Sequence, residues 1–246
     1  MPSLRLGILA TVTYAAIVAM GALFLFDAAS RPSDIYAVLK GLLPAQVLAV
    51  LFLLFIVFRR IGWRPTGFGE ISWSGMIWFL PGWGVLAVMG WDIAHAMTPE
   101  ILRAFSGISL VVLFATTLLI AFGEEVLFRG ILLRGAMSRL SVPVAMFLSA
   151  LVFGLFHLVN GLAGQDIAGT SQQVLFAIVV GFFLAPIALR VRNLWPLIIW
   201  HWFWNIAVIL GQTGGLLDPL VLAGIAVQAL VSIWLWAAII RAPRAG

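Results

Sequence analysis

The stretch GEEVLFRG, residues 123–130, sets two adjacent carboxylates and an arginine inside a long apolar run. A charge near the centre of a bilayer costs about 2.5–3.5 kcal/mol on insertion scales, so such residues are functional candidates. Two of the three histidines also lie in apolar runs, His157 in VFGLFHLVN and His201 in IIWHWFWNIAV. The third, His95 in DIAHAMTPE, reads as an ordinary loop residue. On a helix, Glu125 and Arg129 stand four apart with the acid toward the N-terminus, the favourable order for an ion pair. Glu124 points about 100° away and is left out of that pairing. His201 and Asn205 share the four-residue spacing and offer an imidazole and a carboxamide from one face; Phe153 and His157 share it too. A buried carboxylate can take up and return a proton, and an imidazole and a carboxamide can donate hydrogen bonds.

The elements that must position these groups follow from composition. Of 246 residues, 63% are hydrophobic and 9% charged; soluble domains carry about 25% charged residues. Long apolar runs without barrel alternation predict an all-α, polytopic membrane protein. Eight runs are long enough, near 7–26, 41–58, 73–91, 107–128, 142–159, 172–190, 194–211 and 219–240. Pro44, Pro81, Pro186 and Pro196 should kink or begin helices. Cysteine is absent, which removes disulfides, thiolate metal sites and a Cys nucleophile. The net charge of +5 does not point to nucleic acid, because the arginines sit in loops between apolar runs. Eleven of the 14 basic residues fall on one side of an eight-span arrangement, and Arg31, Lys40 and Arg103 on the other. The asymmetry predicts that both termini are cytoplasmic.

Depth can be read from the hairpin between the fourth and fifth runs. Its turn should fall near residue 140 or 141, and Glu124 lies about as far before it as His157 lies after it. In an antiparallel hairpin this puts both at one level, roughly 25 Å from the turn at 1.5 Å per residue. His201 lies about eight residues, roughly 12 Å, beyond the next turn at RVRN. If the three meet, the hairpin must protrude into the cytosol, with the site nearer the cytoplasmic face.

EEVLFRG, FGLFH and HWFWN occur in order on three separate runs. They resemble the EExxxR, FxxxH and HxxxN motifs of the CAAX-processing and bacteriocin-processing (CPBP) intramembrane proteases, over roughly residues 105–210. The resemblance implies that Glu124 is catalytic, that His157 helps activate water, and that His201 and Asn205 form the oxyanion hole. Glu125 and Arg129 would organise the site, with Phe153 shaping its wall. The chain then divides into N-terminal spans (1–104), a catalytic core (105–210) and a last span with a short tail (211–246), all in one membrane domain. No cofactor is expected. The alternative is a zinc enzyme using Glu124, Glu125, His157 and His201; Asn205 is a poor zinc ligand and a good oxyanion donor. The expected partners are the lipid bilayer and a membrane-associated protein or peptide substrate. A small cysteine-free chain suits a bacterial member in the cytoplasmic membrane.

Two non-protease readings use the same residues. A proton-coupled transporter also carries intramembrane Glu and His, but no repeat or broken-helix pair is evident. A non-catalytic scaffold would leave the acids and Arg129 as a structural knot. Gln46, Thr116, Thr117, Gln172 and Gln173 are read only as polar groups that line a cavity or tie helices together, and Trp202 and Trp204 as flanking the site.

Overall fold

The computed structural model describes residues 2–25, 35–98, 107–214 and 218–241. Among the described residues the chain is helical, with one isolated antiparallel bridge between Phe68 and Asn193 and no strand. Among the described residues, seven helices are long and apolar enough to cross a membrane. An eighth apolar helix, Trp195–Gly211 by the same measure, is shorter. They occupy the eight places expected from the apolar runs. Arg31 and Arg103, used above to orient the chain, lie outside the described residues.

In chain order the long helices are α1 (Leu4–Leu25), α2 (Ile35–Ile56), α3 (Leu80–Ala96), α4 (Gly107–Glu124), α5 (Val142–Phe156), α6 (Ile167–Val191), α7 (Trp195–Gly214) and α8 (Asp218–Arg241). Pro44 and Pro186 lie inside α2 and α6, and Pro81 and Pro196 near the starts of α3 and α7, as expected. Helix α4 does not end at the acids. It continues through a π-helical stretch, Glu125–Leu132, and a last turn, Leu133–Ala136. The hairpin turn then falls at residues 137–141, where the sequence placed it.

Large apolar side chains stay uncovered along the outside, among them Val12, Leu51, Phe55, Val111, Leu230 and Ile233. A contiguous apolar exterior is unfavourable in water and is what hydrocarbon requires. The chain is an integral membrane protein. Inside the bundle, α6 is the most covered helix, with 61% of its apolar window buried. It approaches α5 closely because Gly181 faces Ala150: a β-carbon at 181 would lie 2.9 Å from the Ala150 backbone. Small residues let helix backbones meet where burial from water supplies no driving force.

The segment after α2 folds back on the turn between α6 and α7. Leu194 N–H donates to Gly67 O (3.0 Å), and Ser72 N–H to Val191 O (2.9 Å). Asn193 donates to Gly69 O through its amide and accepts from Trp195 N–H at 2.8 Å, which caps the start of α7. Phe68 packs edge-on against Trp195 and beside Phe122. These contacts fix where α7, and hence His201, enters the bundle.

Candidate active site

The π-helical stretch begins at Glu125. Shifting from i→i+4 to i→i+5 bonding widens the turn and redirects side chains, which is why such segments recur at functional sites. All eight of its residues are buried. Ser149 of α5 donates to Phe128 O at 2.8 Å, tying α5 to a carbonyl of this stretch. Ser149→Ala removes that hydroxyl, while Phe128 O keeps its backbone donor, Leu133 N–H. The variant should lose about 0.5–1.5 kcal/mol of stability, read as a lower melting temperature in detergent.

Two glycines bracket the acids because neighbours occupy their β-carbon space. At Gly123 a β-carbon would sit 2.6 Å from the Tyr14 hydroxyl, and at Gly130 it would sit 2.7 Å from Thr66 Cγ2. GEEVLFRG is thus pressed by α1 at one end and by the turn Trp63–Thr66 at the other.

Glu125 is fully buried and Glu124 is 4% exposed. Glu125 Oε1 accepts from Arg129 Nη1 at 3.0 Å, the four-residue pair expected from spacing. The same oxygen accepts from His201 Nδ1 at 2.9 Å. His201 Nε2 lies 3.7 Å from Glu124 Oε2. One imidazole therefore stands between both acids. Spacing alone had grouped His201 with Asn205 and left Glu124 without a partner; the distant helix α7 supplies one.

Hydrogen-bond partners assign the tautomers. An ionised Glu125 only accepts, so His201 Nδ1 carries the proton that it donates. His157 is half-buried at the end of α5, and its Nδ1 meets Phe153 O at 2.9 Å. A carbonyl cannot donate, so Nδ1 is again the protonated nitrogen. In the neutral ring Nε2 is left as an acceptor.

Phe153 does more than form a wall. The Arg129 guanidinium carbon lies 4.1 Å from its ring centroid, a cation–π contact. The ring also meets His157 at 5.0 Å and His201 at 6.0 Å, both edge-on. The structure thus gathers Glu124, Glu125, Arg129, Phe153, His157 and His201. Asn205 is half-buried one turn beyond His201 and shares no hydrogen bond with these acids or histidines. Trp202 ties α7 to α4 by donating to Phe114 O at 3.0 Å, and Trp204 stacks on the buried Trp200. Of the other polar residues, Gln46 meets Tyr14, Thr116 donates to Leu39 O and Asn160 to Gln173. His95 bonds Trp91 O within its own helix, away from the cluster.

Sequence reasoning missed two groups that border the site, Tyr14 and Ser149. Tyr14 is fully buried in α1 and packs against both Gly123 and Phe156, the neighbours of Glu124 and His157. Through that shared contact Tyr14 bridges the two arms of the hairpin. A tyrosine in mid-span, away from the interfaces that tyrosine favours, was the available signal.

In this arrangement no three His, Cys, Asp or Glu side chains among the described residues are placed to hold one metal ion.

Fold and cluster together define a helical membrane protein with a desolvated group of acids, arginine and histidines. Residues 106–207 match the family described as Rce1-like, type II CAAX prenyl endopeptidase. The match agrees with the motif resemblance and indicates a CAAX-type intramembrane protease. Comparison with characterised proteins and with solved structures gave no match.

Proposed function

We propose that the protein is a glutamate-type intramembrane endopeptidase whose core, residues 105–210, cleaves peptide bonds of membrane-associated proteins or peptides. The observation that carries this reading is the division of labour around His201. Glu125 holds Nδ1 and Arg129, while Glu124 faces Nε2 at 3.7 Å and has no hydrogen bond on Oε2. One acid is committed to structure and the other is available for chemistry.

Glu124 takes a proton from a water that also donates its second hydrogen to His157 Nε2. The hydroxide attacks the scissile carbonyl carbon. His201 Nε2–H and Asn205 Nδ2–H donate to the oxyanion. Glu124 then gives its proton to the leaving nitrogen, the C–N bond breaks, and a carboxylic acid and an amine result. No step is assigned to a metal. The family's printed description makes prenylated CAAX termini the first substrate class to try. Basic residues concentrate on one side of the spans, which supports cytoplasmic termini and a site nearer the cytoplasmic face of a bacterial inner membrane.

The test is cleavage of a prenylated CAAX peptide by the purified protein in liposomes. Chelator should leave the rate unchanged, and Asn205→Ala should lower kcat by roughly 10²–10³. Loss of cleavage on chelation, restored by zinc, would replace this mechanism with the zinc one. Solute flux that survives Asn205→Ala, without cleavage, would favour a transporter.

A further inference from the structure

Tyr14 lies in mid-helix of a span, Leu4–Leu23, outside the segment that matches the protease family. Tyrosines in membrane helices usually sit at the interfaces, where the hydroxyl meets water. This one is 0% exposed. Its hydroxyl donates to Gln46 Oε1 of α2 at 3.2 Å, and Gln46 is itself 3% exposed. A buried hydroxyl in hydrocarbon needs such a partner. Two apolar residues would have filled the same volume without that requirement.

The position of the ring supplies the reason for it. Its hydroxyl occupies the space of a β-carbon at Gly123, directly before Glu124. Its other contact is the Phe156 ring, centroids 5.6 Å apart, directly before His157. We infer that Tyr14 is a positioning residue, wedged between the backbone that carries Glu124 and the helix end that carries His157, so that it sets the separation of the two side chains. Gln46 fixes the angle of the wedge. The hydroxyl's single proton goes to Gln46, so Tyr14 has none to give to substrate or to Glu124. The inference rests on the protease reading, because only there must Glu124 and His157 share one water.

The experiment compares wild type, Tyr14→Phe, Gln46→Met, the double variant and Glu124→Gln in the liposome cleavage assay, with melting in detergent alongside. Tyr14→Phe keeps the ring and frees its angle. It should lower kcat roughly tenfold to a hundredfold, as small misplacements of reacting groups do. KM should stay within about twofold, and the melting temperature should fall by no more than about 4 °C. Gln46→Met should match it, and the double variant should be no worse than either, since all three break one link. Wild-type kcat in Tyr14→Phe beside an inactive Glu124→Gln overturns the wedge and spares the protease reading. Additive losses in the double variant, or a kcat loss that only follows lost folded protein, also overturn it. Full cleavage by Glu124→Gln overturns the protease reading and the wedge with it.

Discussion

Glu124→Gln should reduce kcat by roughly 10²–10⁴, the contribution typical of a positioned general base. The amide keeps the side chain's volume but cannot take a proton from water. KM should change little, because the lost interaction acts in the transition state. The variant should also fold. Glu125 still pairs with Arg129 at 3.0 Å and His201 Nδ1 at 2.9 Å, so the buried knot survives. Rates and melting curves on the same preparation check both halves of this expectation. A variant that melts early and is inactive for that reason would place Glu124 in the structural knot.

Arg129→Met should do the opposite. Arg129 is fully buried, donates to Glu125 and lies over the Phe153 ring. Methionine fills much of the space but removes the charge that balances Glu125. Breaking a buried pair from one side costs about 3–5 kcal/mol, because the remaining charge is left uncompensated. The variant should melt well below wild type, and what remains folded should still contain Glu124 and His157. Adding Glu125→Gln should recover part of the loss, giving a double-variant cost below the sum of the singles. A loss within about 1 kcal/mol, the range of exposed pairs, would show that the pair is not the desolvated one described.

The contrast between these two acids explains what the sequence could reveal. Adjacent glutamates differ by one helical step, and that step assigned Glu125 to Arg129 correctly. The spans were legible because their apolar runs match the thickness of a bilayer. The hairpin turn at residues 137–141 was legible because turn chemistry interrupts the runs there. Three things were not. The π-helical shift at Glu125 has no local composition signature. The contacts of His201 with both acids depend on how α7 enters beside Asn193, a packing outcome between residues 76 apart in the Glu125 pair. Tyr14 and Ser149 reach the site from other helices, and periodicity within one helix cannot identify which neighbour fills the space over a distant glycine. Asn205 rests on motif position and on its place one turn beyond His201.

The most direct measurement is mass spectrometry of peptides from membranes that contain equal amounts of the wild-type protein or Glu124→Gln. New termini should appear with wild type, persist in the presence of chelator, and be absent with the variant. The same termini with Glu124→Gln, at wild-type abundance, would contradict the assignment of Glu124 as the base that activates water.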